Sequence, residues 1–393
     1  MEMAGGSPYT PGDAEHEKKR ISKSAIRLAP RARRRIRARL LGWYAAEKRC
    51  LPWRGETDPY RIWVSEVMLQ QTRAETVRLR YPRFLTRFPS LAALADAPLE
   101  EALAEWQGLG YYARARNLHR AAAAVMEGPG GAIPETREAL RRLPGFGPYM
   151  AAAVASIAFG ERAASLDGNA LRVLSRLLDS PAPIDSNAGR AAIGEEAEAL
   201  TPPSRPGDFN QALMDLGARI CLPRKPACPA CPLEEDCAAR GRGRVHLRPV
   251  RSAKAPPKEA AMFQLWAERR GAIRMVRRPE GGLFGGMWEL PAVMAEGRPP
   301  RCPRKALALA GGTWIGPGWA VGKELARVER TLTHRRILFR VFRALPPAGG
   351  SGGARKKGGG DARWVEMADL PALPLSRAQR AAIEAARKAL AAG

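Results

Sequence analysis

Acidic residues are scarce in this sequence, and it contains no long apolar segment. Its 393 residues include 39 Asp and Glu against 65 Lys and Arg, which gives a formal charge of +26. This excess goes beyond what solubility requires and favours a polyanionic partner, with nucleic acid ahead of an anionic membrane. No apolar run reaches the roughly 18 residues of a membrane span, so we expect no membrane association. The N-terminal residues are charged and contain Gly and Pro, so we expect no secretion signal.

Cysteine is also infrequent, and four of the six cysteines lie in one short segment. Cys221, Cys228, Cys231 and Cys237 form a C-x6-C-x2-C-x5-C run among basic residues. A disulfide framework would require an oxidising compartment and a small chain, whereas structural zinc draws on closely spaced ligand pairs. The spacing therefore favours an iron–sulfur cluster over zinc. This cysteine usage implies a reducing compartment, so we expect a cytoplasmic protein, associated with the nucleoid if the source is bacterial.

The length of the chain predicts two domains, each with its own core. Residues 1–35 are polar and end in a run of arginines, which predicts a disordered basic arm. Residues 36–245 have helical periodicity, and the Pro-containing segment 246–258 is typical of a linker. Residues 259–393 predict a smaller α+β domain with a flexible Gly-rich insertion at 346–360.

Individual elements are predicted from apolar spacing for helices and from short apolar runs bounded by Gly or Pro for strands. Helical segments are expected at 134–142, 149–159, 169–178 and 377–391, and strands at 263–266, 272–276, 287–290 and 337–342.

A tight turn, Gly145-Phe146-Gly147, lies between the first two of these helical segments. Such a turn lets the backbone approach a ligand closely, and the following helix adds its positive N-terminal end. The pattern is typical of a phosphate-binding helix-hairpin-helix. An ordinary turn between two helices has the same composition and remains an alternative.

Two carboxylates stand out near this hairpin. Asp167, in Leu166-Asp167-Gly168-Asn169, follows the second hairpin helix closely. It could simply cap the next helix, but a carboxylate beside an anion site is electrostatically unfavourable, which suggests a chemical role. Glu66 lies in the apolar helical stretch 62–69 and is either a surface residue or an inward-facing acid whose pKa burial would raise.

Six motifs accompany the cysteine loop in a fixed order. They are LPWRG (51–55), SEVMLQQT (65–72), GLGYYARARNL (108–118), LPGFGPY (143–149), LDGN (166–169) and FNQALMDLGA (209–218). Together they resemble the MutY-type adenine DNA glycosylases of the endonuclease III superfamily. The resemblance implies a mainly α helix-hairpin-helix glycosylase domain of two helical lobes with an iron–sulfur cluster loop. A smaller α+β Nudix-like domain would follow it.

The same resemblance assigns roles to residues of these motifs. It makes Glu66 the acid that protonates adenine and Asp167 the catalytic carboxylate that stabilises or captures the sugar, and it counts Asn169 and Tyr149 among the catalytic residues. Related lyases carry a Schiff-base Lys at the position of Tyr149, and tyrosine cannot form that adduct. Tyr149 is instead expected to pack near the sugar, and Cys221, Cys228, Cys231 and Cys237 would hold a 4Fe–4S cluster.

The expected DNA contacts fall into three groups. Trp53, Arg54 and Gln211 would shape the adenine pocket. Gln70, Gln71 and Tyr111 would wedge beside the orphan base. Phosphates are expected at the Gly145 and Gly147 turn, and also on the cluster loop at Arg219, Arg224 and Lys225.

The C-terminal part contains GGLFGGMWELP (281–291), which resembles the opening of a Nudix fold. The metal-binding, Glu-rich helix of Nudix hydrolases does not follow, so hydrolysis of nucleotide diphosphates is not expected. In MutY-type proteins this domain reads 8-oxoguanine, and Thr333 and His334 fit its recognition loop.

The resulting expectation is a monomeric DNA glycosylase. Its partner would be double-stranded DNA with adenine opposite 8-oxoguanine or guanine. There are two alternatives. One is an endonuclease III-like glycosylase/lyase for oxidised pyrimidines, and the other is a non-catalytic DNA-binding protein of the same fold.

Overall fold

The computed structural model describes residues 27–253, 256–279, 281–297, 304–332, 335–347 and 362–392. The chain divides into two compact units. Unit 1 contains the described residues up to Ala97 together with Asn117–Ala253, and unit 2 contains Pro98–Arg116 and the described residues after Lys254.

The first helices of the chain are α1 (Pro30–Glu47), α2 (Pro59–Leu69), α3 (Ala74–Arg87), α4 (Leu91–Ala95), α5 (Leu99–Glu105), α6 (Ala113–Met126) and α7 (Arg137–Leu140). They are followed by α8 (Pro148–Ala158), α9 (Gly168–Leu177), α10 (Asn187–Leu200), α11 (Pro206–Arg219) and α12 (Ala238–Gly241). Short 3-10 turns lie at Pro129–Gly131, Cys228–Ala230 and Val245–Leu247. No described helix is both long enough and apolar enough to cross a bilayer.

Helix α1 begins inside the segment predicted to be a disordered arm. Proline is favourable at the first position of a helix, and Pro30 occupies it here. Arg33 anchors the first turns through an ion pair with Glu196, at 2.7 Å between Nε and Oε1. The arm prediction is therefore wrong for residues 30–35, and residues 1–26 lie outside the described part of the chain.

The main core of unit 1 joins α1 to the helices that surround the cysteine segment. Ile36, Leu40 and Tyr44 form the buried stripe of α1. They pack in one cluster with apolar residues of α9, α10 and α11 and with Leu233 of the cysteine segment. The N-terminal helix and the cysteine segment therefore share one hydrophobic core.

Unit 2 contains two four-stranded sheets. The strands are β1 (Lys258–Trp266), β2 (Glu268–Arg269), β3 (Ala272–Arg277), β4 (Trp288–Glu289), β5 (Ala292–Glu296), β6 (Ala320–Leu332), β7 (Arg335–Leu345) and β8 (Ala362–Glu366). One sheet has the order β5-β1-β7-β6. In the other sheet, β3 pairs with β2, β4 and β8. Among the strand pairs of the described residues, β1 and β7 alone run parallel, with Met262 opposite Phe339.

Two further helices belong to unit 2, α13 (Arg304–Trp314) and α14 (Arg377–Ala391). A 3-10 turn at Leu370–Ala372 precedes α14. Buried residues of α14, among them Ala382 and Ile383, pack on strand residues such as Ile273 and Phe339 to form the core. The bounds predicted for α14 are confirmed, because Ser376 caps it and accepts a hydrogen bond from the Gln379 N–H.

Three predicted strands fall within β1, β3 and β7, and the fourth, 287–290, extends one residue beyond β4 at each end. Strands β2, β5, β6 and β8 and helix α13 were not predicted. Strand β6 is the clearest case, because its sequence AVGKELARVERTL is rich in charged, helix-favouring residues. It lies at the edge of its sheet, where most of its side chains stay partly exposed, and tertiary pairing overrides local propensity. Thr333, His334 and most of the 346–360 insertion lie outside the described residues.

Candidate active site

Glu66 projects into the interior of unit 1 from α2. Every residue of Ile62–Met68 is buried, and Glu66 itself is only 3% exposed. Asp58 caps the helix by accepting a hydrogen bond from the Tyr60 N–H at 2.8 Å. The surface-residue alternative is therefore wrong for Glu66. Burial raises the pKa of Glu66, while the Tyr149 hydroxyl and the Arg54 guanidinium oppose this rise.

Tyr149 is the direct partner of Glu66. Its hydroxyl donates to Glu66 Oε2 at 2.6 Å, from the second residue of α8. Burial, and then the nearby charge of Glu66, raise the pKa of Tyr149 well above 10. The phenol therefore stays protonated and acts as a hydrogen-bond donor to the carboxyl group.

Asp167 is both a helix cap and a neighbour of this pair. One carboxylate oxygen accepts from the Ala170 N–H at 2.7 Å, and the other accepts from Asn169 Nδ2 at 3.0 Å. Burial raises the pKa of Asp167, and these donors act against the rise. The charge of Asp167 also raises the pKa of Glu66, so the two carboxyl groups interact electrostatically. The capping alternative and the functional one are thus compatible.

The hairpin turn packs directly on the helix that carries Glu66. The rings of Phe146 and Trp63 are 5.0 Å apart between centroids. Gly145 has φ +82°, and a Cβ there would lie 2.7 Å from Asn117 Cβ, so glycine is required. Gly147 caps α8 and has open space around it, which leaves the helix N-terminus accessible.

A cleft of about 1220 Å³ opens beside this turn. Gln70, Gly145, Gly147 and Tyr149 line it. Its cationic lining residues are Arg137, Arg141, Arg142 and Arg190. Gln71 follows Gln70 as an exposed residue with φ +56° at the end of α2. The structure thus brings the predicted phosphate turn, one predicted wedge residue and Tyr149 to a single cleft.

Asn210, which the sequence analysis missed, fixes the backbone that leads to Asp167. Its side-chain Nδ2 donates to Ser156 Oγ on α8 at 2.9 Å and to the Ala163 carbonyl at 2.8 Å. Its Oδ1 accepts from the Ser165 N–H at 3.0 Å. Because Asn210 is fully buried, this network ties the Asp167 segment to the hairpin helix. Asn210 stands in the FNQALMDLGA motif, but nothing local distinguishes it from Gln211.

Arg54 connects Gln211, a second residue expected to form the adenine pocket, with Asp215. Its guanidinium donates to Gln211 Oε1, and also to Asp215 Oδ1 at 2.8 Å. Asp215 is fully buried and also accepts from Arg49 at 2.7 Å. Trp53 is buried, with its ring 5.7 Å from that of Tyr81 in an edge-to-face arrangement. Asp215 therefore holds Arg49 and Arg54 in place, a role that its sequence position did not indicate.

The four clustered cysteines surround one cavity. Each is half-buried, and all four line a small apolar space together with Val173, Leu177, Leu216 and Val245. Burial raises the pKa of Cys231 to about 12 and also raises that of Cys237. Thiols in this environment become thiolates only with a strong positive partner. Among the described residues, no three His, Cys, Asp or Glu side chains form a group able to hold one metal ion.

Two buried arginines of α9 bind the cysteine segment. Arg176 donates to Cys221 Sγ at 3.3 Å and to the Leu222 carbonyl at 2.7 Å. Arg172 donates to the Cys221 carbonyl and to Asn169 Oδ1, both at 2.8 Å. A chain of hydrogen bonds therefore runs from the cysteine loop through Arg172 and Asn169 to Asp167.

The predicted phosphate contacts of this loop are only partly accessible. Arg219 forms an ion pair with Glu47 at 3.2 Å and lies over the Trp43 ring. Arg224 and Lys225 line a separate cleft of about 650 Å³ with Arg240 and His246. Arg219 therefore stabilises the end of α11 in the structure, whereas the other two cations face open space.

The remaining predicted contacts do not fall in unit 1. Tyr111 belongs to unit 2, where it is 51% exposed. Thr333 and His334 lie beyond the described residues, so their expected role in reading the oxidised base stays a prediction.

Comparison with known proteins agrees with this arrangement. Residues 64–192 match the pattern of the HhH-GPD superfamily of base excision DNA repair proteins, and residues 261–385 match that of the NUDIX domain. The fold class is therefore the predicted one, a helical helix-hairpin-helix region followed by a smaller Nudix-like α+β domain.

Individual relatives extend this comparison. The adenine DNA glycosylase of Homo sapiens is 37% identical over 362 residues, covering 78% of this chain and 66% of that protein. That of Mus musculus is 37% identical over 360 residues, covering 78% of this chain and 70% of that protein. A solved thermostable thymine-DNA glycosylase is 33% identical, with a TM-score of 0.49 over 54% of this chain and 98% of that chain.

Proposed function

The chain belongs to the adenine DNA glycosylase family of base-excision repair enzymes, and we propose that it removes adenine placed opposite 8-oxoguanine or guanine in double-stranded DNA. The predicted family resemblance is thereby confirmed, whereas the mispair is our proposal. The observation that supports it most directly is the hydrogen bond of 2.6 Å between buried Glu66 and half-buried Tyr149, beside Asp167 and the hairpin. This group combines a proton donor, a carboxylate and an anion-binding turn within one unit.

The acid step follows from the environment of Glu66. Adenine leaves poorly as an anion, so it must be protonated while the N-glycosidic bond breaks. Because burial raises the pKa of Glu66, the carboxyl group retains its proton toward neutral pH and can deliver it to adenine N7. Tyr149 occupies Oε2, which leaves Oε1 to carry the proton.

The second step uses Asp167. Loss of adenine makes the sugar resemble an oxocarbenium ion, which an ionised carboxylate stabilises or captures covalently, as in retaining glycosidases. The donors Ala170 and Asn169 favour the ionised form of Asp167 against burial. Water then produces an abasic site. Tyr149 offers no amine for a Schiff base, so this site does not favour the lyase alternative.

The DNA must first present adenine outside the helix. Extruding a base costs a few kcal/mol, which contacts to the flanking backbone have to offset. The Gly145–Gly147 turn with the N-terminus of α8 is suited to one phosphate. The cleft beside it is lined by four arginines and three glutamates, two of which pair with Arg137 and Arg142, so its lining keeps a small positive excess. Binding through such contacts falls steeply with salt.

We also propose that Cys221, Cys228, Cys231 and Cys237 hold a 4Fe–4S cluster. The donor set fits, because four thiols line one cavity next to two buried arginines. In such a cluster each of the four irons would take one cysteine thiolate. When bound, the cluster would supply structural order to its loop, and no proton or bond of the excision step depends on it.

One assay tests the proposed function. Purified protein is incubated in excess with duplexes carrying A:8-oxoG, A:G or thymine glycol, and strand breaks are scored before and after alkali. We expect breaks only after alkali, for the two adenine duplexes alone, and none with Glu66→Gln. Release of thymine glycol, or prompt cleavage without alkali that depends on Glu66 and Asp167, would contradict the proposal.

A further inference from the structure

The loop that carries Tyr111 has an unusual backbone. Tyr111 has φ +48° and is 51% exposed, and Gly108 and Gly110 also have positive φ, at +93° and +71°. A non-glycine residue in this left-handed region is disfavoured, and an exposed aromatic ring gains little from burial. Other contacts must therefore hold this conformation.

Part of that support comes from within the loop. The Trp106 indole N–H donates to the Gly110 carbonyl at 3.1 Å, and Arg114 donates to the Leu109 and Gly110 carbonyls at 3.1 and 3.0 Å. The Arg114 guanidinium also lies over two rings, 5.4 Å from the centroid of Trp106 and 5.7 Å from that of Tyr111. These contacts shape the loop from within.

Further contacts to the loop come from the C-terminal part of unit 2. Arg116, only 7% exposed, donates to the Gly285 carbonyl in the turn before β4. Arg377, at the start of α14, donates to the Gly108 carbonyl at 3.0 Å. Arg277, at the end of β3, forms an ion pair with Glu100 of α5 at 2.5 Å.

These contacts join two regions that the sequence patterns keep apart. Residues 98–116 lie inside the 64–192 range of the base-excision pattern, whereas Arg277, Gly285 and Arg377 lie inside the 261–385 range of the NUDIX pattern. The structure nevertheless groups both in unit 2. The three anchoring points come from different elements, so together they restrain both ends of the loop.

We propose that the C-terminal strands and α14 hold the Tyr111 loop in the conformation in which its ring meets DNA, with Arg116 and Arg377 as positioning residues for lesion choice. The C-terminal part then influences recognition through Tyr111 as well as through any lesion-reading loop of its own. The effect on lesion choice rests on the proposed function, whereas the effect on loop conformation does not.

The first test measures the loop in the free, full-length protein. The amides of Leu109, Arg114 and Arg116 are hydrogen-bonded to Trp106, Tyr111 and Tyr112 carbonyls, so their hydrogen exchange reports on loop opening. We expect Arg377→Ala to speed this exchange about fivefold, the equivalent of one lost hydrogen bond. Arg116→Met should act in the same direction.

Lys388→Ala is the matched control. Lys388 lies three turns further along α14 and pairs with Glu384 of the same helix at 3.0 Å. This variant should leave the exchange of residues 107–116 unchanged. Unchanged exchange in both Arg377→Ala and Arg116→Met, with all variants folded by circular dichroism, would overturn the proposal.

The second test asks whether Arg377 acts through Tyr111. Single-turnover rates on A:8-oxoG and A:G are compared for Arg377→Ala, Tyr111→Ala and the double variant. We expect Arg377→Ala to reduce the preference for A:8-oxoG severalfold in the parent and to add nothing in the Tyr111→Ala background. Multiplicative effects would overturn the positioning role. If no duplex with adenine were cleaved at all, the proposed function would fail, while the exchange measurement would still decide the conformational proposal.

Discussion

Tyr149→Phe is the substitution that most directly tests the proposed acid. It removes the hydroxyl that donates to Glu66 Oε2 at 2.6 Å and leaves the ring that packs beside it. This hydrogen bond favours the ionised form of Glu66 and thus lowers its pKa. Without it, the carboxyl group should hold its proton to a higher pH.

The magnitude follows from the change of charge during catalysis. A hydrogen bond to a charged group stabilises it by about 1.5–3 kcal/mol. Glu66 becomes ionised only as it gives up its proton, so roughly half of this stabilisation is lost in the transition state. A loss of about 0.8–1.5 kcal/mol slows adenine release about fourfold to twelvefold.

The assay is single-turnover release of adenine from an A:8-oxoG duplex across a range of pH. We expect Tyr149→Phe to be slower on the plateau, with its alkaline limb displaced to higher pH. The variant should therefore approach the parent enzyme as the pH rises. An alkaline limb that moves to lower pH, or a loss of more than a hundredfold on the plateau, would refute this account of the pair.

Tyr60→Phe provides the matched control. Tyr60 lies on α2, the helix that carries Glu66. Its hydroxyl donates to the Phe88 carbonyl at 2.8 Å, outside the site. Its removal should lower the free energy of unfolding by about 1 kcal/mol and leave the pH profile unchanged.

Three other predictions follow. Glu66→Gln should raise the melting temperature at pH 8 but not at pH 4. The folded-state pKa of Glu66 lies above its unfolded value, so its ionisation favours unfolding as pH rises, and equal shifts at both pH values would contradict this. Cys228→Ala should lose iron and visible absorption and weaken DNA binding, whereas one zinc and no iron in the parent protein would exclude the cluster. Gly217→Ala should destabilise by about 1–3 kcal/mol in denaturant unfolding, because the new Cβ would lie 2.6 Å from Asn169 Cβ, whereas Gly42→Ala, with nothing within 4 Å, should not destabilise.

The structure also explains why some features were visible in the sequence. Helix ends are set by neighbouring residues, so Ser376 before α14 and Gly147-Pro148 before α8 mark boundaries close to the observed ones. The four cysteines lie within 17 residues, and a short segment can bring them to one cavity whatever surrounds it. The order of the motifs then predicted the family, because this order can be read from the sequence without the structure.

Other features required the folded chain. Seven consecutive residues around Glu66 are buried, so no amphipathic pattern indicates which way this carboxyl group points. Its partner Tyr149 is 83 positions away, and Asn210 reaches Ser156 across 54 positions. Such pairings depend on how helices pack, which periodicity does not encode.

Sequence alone predicted the fold class from the order of its motifs, and it grouped the four cysteines by their spacing. Glu66 and Asp167 received their roles from the family resemblance, and those roles stay predictions. Tertiary structure alone decided that Glu66 is buried against Tyr149. It also showed that Asn210 and Arg172 secure the surroundings of Asp167, and that the Tyr111 loop belongs with the C-terminal strands. The physical reason is that desolvation and hydrogen bonding act between atoms close in space, whereas sequence patterns report only on residues close along the chain.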